Sequence, residues 1–392
     1  QATISGGSVN VGDGGVAIYS QSGNVNLNSG AISVGANEAV GVYTIGSGQT
    51  ITNNLTGMTI GDTSFGFVNV GTGNTITSNT ANVLLGNNAV YIYSNDTAGT
   101  VTNSTNITST GTTGGNYGLY SAGTVTNSGN IDFSTGVGNV GIYSVGGGTA
   151  TNTGTITVGA SDPGNTLFGI GMEAGYTTVD TGNIINNGII NVNGSSSIGM
   201  YGTATGTTAT NNGTIMLNAN NAIGMYIDSG ATGTNNGTIT TGLSGLSGVL
   251  GVVLGRGATL TNTPTGVINI NSVNGAGVYL KGGTVANYGT ITVSGSGTTE
   301  IATMNSNPTT KTVGGVTITA PAGATSATIT AAGVPVTPVS VTTTQTTPAG
   351  ISASSIGMYV NTSGTAYTTP IGNLGALTSE ADLIVGAEAA ES

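Results

Sequence analysis

Short stretches of this chain alternate strictly between apolar and polar residues, in runs of four or five bounded by Gly, Asn, Ser and Thr. Gly154–Val158 reads GTITV, which puts Ile156 and Val158 on one face and Thr155 and Thr157 on the other. That is the pattern of a half-buried β-strand. INVN from Ile190 and ININ from Ile268 alternate in the same way.

These strands belong to a longer repeat. An apolar–small–apolar–X phrase appears as VAIY ending at Tyr19, VGVY at Tyr43, FGFV at Val68, VYIY at Tyr93, YGLY at Tyr120 and VGIY at Tyr143. It continues as IGME at Glu173, IGMY at Tyr201 and Tyr226, LGVV at Val253, AGVY at Tyr279, a degenerate IATM at Met304 and a last IGMY at Tyr359. Successive spacings run from 23 to 30 residues, and the last is 55. A second phrase, Asn-X-Gly-X-Ile, falls between the first ones, at Asn28, Asn127, Asn152, Asn186, Asn211, Asn235 and Asn287, with weaker versions at Asn79, Asn103 and Asn262. Two independent phrases held in phase at one period mark a solenoid.

The period predicts an all-β chain folded as a parallel β-helix solenoid, right-handed, of about 13 rungs of about 25 residues. Ile and Val point to the axis and stack on their equivalents one rung away. Gly and Asn supply corners with positive φ, and identical Asn side chains in adjacent rungs form an amide ladder. In Ile198-Gly199-Met200-Tyr201, Ile and Met are expected to face inward and Gly and Tyr outward. Two readings of the tyrosine follow: it packs at a corner over the small glycine of the next rung, or it joins an exposed aromatic column that grips a partner. Tyrosine occupies the position in nine of thirteen rungs, interrupted at Val68, Glu173, Val253 and Met304.

The regularity divides the chain. Rungs fill 1–304; a Thr/Pro/Ala-rich insertion, holding a β excursion, fills 305–350. Further rungs are expected over 351–376. Residues 377–392, where Ala and Glu rise, form a junction or the start of another segment, with a short helix allowed from Ser379.

Composition sharpens the picture. Three Lys and Arg against fourteen Asp and Glu leave a net charge of −11, yet charged residues are only 4% of the chain. With 36% hydrophobic residues, the sequence is too apolar and too weakly charged for a disordered chain. The scarcity of cations argues against nucleic acid as a partner, and no apolar run reaches the roughly 20 residues that cross a bilayer. No cysteine and no histidine are present, which removes disulfides, thiolate metal sites and the commonest general base. Gln1 is not an initiator methionine, so a mature or excised piece is expected.

Candidate chemistry is sparse. Asp13, Glu38 and Asp62 fall before the outward position of successive rungs and are the candidate metal ligands, with Ca²⁺ the ion such carboxylates take. Asn88, Asn221 and Asn274 occupy much the same register, which instead marks a polar turn position. No cofactor is expected otherwise. Arg256 and Lys281 have no acidic pair in register, and no two carboxylates face each other as glycoside hydrolysis needs, so an enzyme is not expected. Tyr201, Tyr226 and Lys311 are the candidate ligand-binding residues. The Thr-X-Thr repeats do not continue from rung to rung, so no ice-binding lattice forms.

NNGTI alternating with AIGMY resembles passenger segments of the very large type V autotransporter adhesins, particularly the fusobacterial outer-membrane kind; LTSEADLIVGAEA at Leu377–Ala389 adds to the likeness. The resemblance implies extracellular display on the bacterial outer membrane surface and attachment to host cells or other bacteria. It further implies recognition of a host-cell surface protein or a glycan, galactose-type among them. The repeated motifs are structural, so no family binding residue maps to a numbered position. The competing expectations are a purely structural stalk and, behind it, a β-helical polysaccharide-degrading enzyme.

Overall fold

The computed structural model describes residues 1–176, 180–303, 309–313, 316–320, 355–358 and 382–385. They form a parallel β-solenoid of about 12 turns. Among them the one helical element is a single 3₁₀ turn, Pro163–Asn165. The chain divides into two compact units, Gln1–Met216 and Leu217–Ser392, built on one plan.

A turn of the first unit carries three short strands, for example Val40–Thr44, Thr50–Asn53 and Gly57–Ile60. Each strand pairs in parallel with its equivalent one turn away. First strands put Val42 beside Phe67 and Ile92 beside Leu119. Second strands align Val101 with Val125, and third strands align Ile131, Ile156 and Ile190. These aliphatics are completely or almost completely buried. Burying each one contributes about 2 kcal/mol, and it does so only against adjacent turns. At the corners, Asn37, Thr63 and Asn88 adopt positive φ, as the turn-polar register predicts; Asn does so at low steric cost.

The first strand differs from expectation in one respect. Its pairing skips the second residue of the phrase: Val40 pairs with Phe65 and Val42 with Phe67, and Gly41 is left out. The residue is passed over in both paired strands, so the register is unbroken, and here the glycine faces the core, not solvent. A Cβ on Gly141 would meet the Gly171 carbonyl at 2.5 Å and Ile156 Cγ2 at 2.9 Å. Gly171 meets Ile190 in the same way. Glycine recurs here because the third-strand isoleucine fills the space a side chain would need. Where the first residue is aromatic it packs outside with the tyrosines: Phe65 on Tyr93, and Tyr117 on Tyr120 and Tyr143.

Two turns among those described break the glycine rule. Glu300 holds that position in the last full first strand, where Ile301 pairs with Val278 and Ala302, not Met304, pairs with Tyr279. Tyr91 is the other exception, and it is completely buried. Its hydroxyl accepts from Asn53 Nδ2 at 3.0 Å and lies 2.5 Å from Ser78 Oγ, which is 2.6 Å from Thr105 Oγ1. Ser78 occupies the ladder register between Asn53 and Asn103, so a shorter side chain there makes room for the phenol. Burial pushes the Tyr91 hydroxyl up from its ordinary value.

The asparagine ladder forms as expected. In the first unit Asn103 Nδ2 donates to Asn127 Oδ1 at 2.7 Å, and the chain continues through Asn152 at 2.9 Å, Asn186 at 3.0 Å and Asn211 at 2.9 Å. All five are 0% exposed. Each of the first four also donates to the backbone carbonyl two residues on, so the buried amides are paired. Asn28 and Asn79 lie outside this ladder, both exposed; Asn79 donates instead to Asn54 Oδ1 at 2.9 Å on the surface.

The second unit repeats the plan. First strands stack Met225, Val252, Val278 and Ile301, third strands stack Ile239, Ile268 and Ile291, and Asn235, Asn262 and Asn287 continue donor to acceptor at 2.8 and 2.7 Å. Thr309–Val313 and Val316–Ala320 pair antiparallel, a β excursion within the insertion. The chain then rejoins the first-strand sheet: Ile356 pairs with Ile301 in parallel. Asp382–Val385 adds a further strand, Leu383 beside Ile356, so these residues are extended where a helix was allowed. Ser379 and the rest of 305–350 and 351–376 lie outside the described residues.

Candidate functional site

The three candidate metal ligands are not gathered. Asp13 accepts from the Ala36 amide at 2.8 Å and Asn37 Nδ2 at 3.2 Å. Asp62 accepts from the Asn87 amide at 2.8 Å and Asn87 Nδ2 at 3.1 Å, bonds that hold its carboxyl below the ordinary value. Glu38 does not stand between them: it adopts φ 66° at the corner and contributes its backbone N–H to the Thr63 carbonyl. Two of these acids tie one corner to the next. Among the described residues no three acidic side chains form a group that could hold a metal.

A shallow groove of about 220 Å³ lies on the third-strand face, lined by Ser8, Asn10, Ser33, Met58, Thr59 and Leu84 among others. Its lining is neutral throughout.

The outer face of the first-strand sheet is chemically richer. Each first strand presents its fourth residue outward, giving a column in the first unit of Tyr19, Tyr43, Val68, Tyr93, Tyr120, Tyr143, Glu173 and Tyr201. Tyr19 is 60% exposed and stacks on Tyr43 at 5.7 Å. Further along, Tyr93 stacks on Tyr120 at 4.9 Å, Tyr120 meets Tyr143 edge-on at 5.1 Å, and Tyr117 stacks on Tyr143 at 6.0 Å. Such ring pairs are worth about 1 kcal/mol beyond their area.

Glu173 replaces the next ring. It stands between Tyr143 and Tyr201 in the pairing, half-buried. Burial raises its carboxyl to about 7, because a carboxylate among rings loses its water. The field is mutual. Tyr117 is raised to about 12, by burial first and then by Glu173, and Tyr143 is raised by the same two causes in the same order.

Two loops flank Glu173's strand, Ile170–Ala174. The loop before it turns at Pro163–Asn165, closes through paired backbone bonds between Asp162 and Leu167, and exposes Leu167 and Phe168 by 43% and 37%. The loop after it leaves at Gly175, whose carbonyl accepts from Tyr143 Oη at 3.0 Å, and exposes Tyr176 by 64%. Asp180 exchanges backbone bonds with Tyr176, and its Oδ1 accepts from the Gly146 amide at 2.8 Å. Asp180 and Tyr176, with Glu173, lie near enough to add to the upward shift of Tyr120 that burial begins.

The result is an aromatic patch holding carboxylates, on a strand flanked by loops that expose Leu167, Phe168 and Tyr176. Of the sequence candidates, Tyr201 is half-buried at its edge. Tyr226, in the second unit, is half-buried beside Val253. Lys311 lies in the hairpin, paired with Ile318. Sequence reading missed Tyr117, Tyr176 and Asp180, and took Glu173 only as an interruption. The signal was there: the spacings into Glu173 and Tyr201 are 30 and 28 residues, and the extra length is the two loops.

Residues 133–238 match the family model of the BigA third pectate lyase-like domain. No curated protein and no solved structure matches the chain. The matched span includes Tyr143, Glu173, Tyr201, Tyr226 and both loops.

Proposed function

We propose that this chain is a segment of a bacterial surface adhesin of passenger type, displayed outside the cell, whose first-strand face attaches to host cells or other bacteria by recognising a protein or a glycan. The observation that carries the reading is the patch of Tyr117, Tyr120, Tyr143, Glu173 and Tyr176. Aromatics open to solvent are the side chains that anchor partners: Tyr176 is exposed and Tyr117 and Tyr120 are half-buried, while Tyr143 is buried, and a half-buried carboxylate among rings costs the solenoid stability. The BigA-domain match over 133–238 and the β-solenoid support the surface-adhesin class. Resemblance to fusobacterial autotransporters and to galactose recognition belongs to this proposal, and no catalytic step does.

The regular asparagine ladder favours a second reading, a stalk that holds a distal tip away from the cell. Beads carrying residues 1–392 test the two against host cells, bacterial cells and a glycan panel. Capture that falls at least fivefold in Tyr120→Leu supports an adhesive face. Absence of capture, or capture untouched by that variant and by deletion of 305–350, leaves the stalk.

A further inference from the structure

The patch has an electrostatic property that the solenoid does not need. Glu173 is seated among three rings, and its carboxyl accepts no hydrogen bond from any described residue. Asp180 borders the same rings. No basic side chain balances them from within the unit: all three Lys and Arg of the chain, Arg256, Lys281 and Lys311, come after Met216. Buried carboxylates are ordinarily paired. The faces of tyrosine rings carry negative potential as well, so the rings and carboxylates all attract a cation that the first unit's own side chains do not supply.

We propose that the patch formed by Tyr117, Tyr120, Tyr143, Glu173 and Tyr176 binds a quaternary ammonium group. Cation–π attraction strengthens when the cation is desolvated, and aromatic cages are the usual receptors for such groups. Hydration selects among cations: a primary ammonium is a compact, strongly hydrated charge that loses its water on entering among rings. A primary ammonium has three N–H donors to satisfy. Glu173 can accept from one or two of them, and ring faces replace none of the water lost by the rest; Asp180 Oδ1 already accepts from the Gly146 amide. A trimethylammonium has no donor to leave unsatisfied and is held by ring faces and by the charge of Glu173 alone. This inference rests on the patch being the partner-binding face; direct titration decides the ligand class whatever the outcome of cell capture.

The test is choline titrated into the full chain at pH 8, where the Glu173 carboxyl is ionised, with calorimetry and tyrosine fluorescence as readouts. The chain contains no tryptophan, so ring emission reports directly. The expected result is saturable binding in the millimolar range, at least tenfold tighter than the uncharged isostere 3,3-dimethylbutan-1-ol and tighter than n-butylammonium. Glu173→Gln and Tyr120→Leu each weaken choline about tenfold; Tyr19→Leu, at the far end of the column, leaves it unchanged. Far-ultraviolet circular dichroism confirms that each variant is folded. The proposal is overturned by equal binding of the isostere, by tighter binding of n-butylammonium, or by a folded Glu173→Gln that still binds choline as the parent does.

Discussion

Replacing Glu173 with glutamine keeps the shape of a side chain held among Tyr117, Tyr120 and Tyr143 and removes its ability to ionise. Burial raises the carboxyl from 4.5 to about 7. The folded chain therefore holds a proton that the unfolded chain has released, and a group with this sign stabilises least at high pH. Below about 4.5 the carboxyl is neutral in both states and nothing is lost. Between 4.5 and 7 the unfolded state ionises first, and stability falls steadily. Above 7 the penalty is complete. Two and a half units at about 1.4 kcal/mol each give roughly 3 kcal/mol. Glutamine carries no such penalty. Amide exchange of Ile170–Ala174 measures this locally, which suits a repeat array whose unfolding is not all-or-none. Comparing the two proteins at the same pH cancels the intrinsic exchange chemistry. At pH 4.5 they exchange alike; at pH 8 the strand is protected about a hundredfold or more better in Glu173→Gln. Equal protection at pH 8 refutes the argument, since it means that the carboxyl titrates in contact with water. Choline at saturating concentration narrows the difference, because a bound cation stabilises the ionised form.

Other perturbations separate the structural elements. Asn152→Ala leaves the Asn127 amide and the Asn186 carbonyl facing a gap and lowers stability by about 2 kcal/mol or more, whereas exposed Asn79→Ala changes it by less than about 0.5 kcal/mol; denaturant midpoints measure both. Tyr91→Phe removes the hydroxyl that joins Asn53, Ser78 and Thr105 and costs about 1–3 kcal/mol. Gly141→Ala forces a methyl against the Gly171 carbonyl and Ile156 and costs about 1–3 kcal/mol; a neutral outcome contradicts the inward-facing glycine. A calcium chelator leaves the denaturation midpoint unchanged, since Asp13 and Asp62 are already bonded to neighbouring corners; a drop of several degrees in Tm contradicts that assignment.

The solenoid could be read from the chain because its signal is repeated. Ile156 is one of a dozen equivalents, so a single ambiguous strand is corrected by its neighbours, and the ladder asparagines share one phrase. The orientation of the IGMY glycine could not be read that way. Strict alternation sends Gly199 outward; only the register, in which pairing passes over that residue, turns it inward. VYIY carried a hint, since tyrosine in the glycine position coincides with serine replacing asparagine at Ser78, but one exception among many turns does not explain itself. The site is harder still. Glu173 and Asp180 are non-repeating residues, and their meaning depends on which rings and loops surround them. Repetition reveals a scaffold, and departures from it reveal only where to look.

The run of amides from Asn103 to Asn211 has a mechanical consequence. Every link joins one coil to the next, at a sequence separation of about one repeat, and none spans several coils. Tension applied along the strands loads a single coil's seam, and its rupture hands the same load to an identical seam behind it. Pulled from one end, either unit should lengthen in equal steps of about one repeat's contour, yielding gradually under shear instead of failing at once.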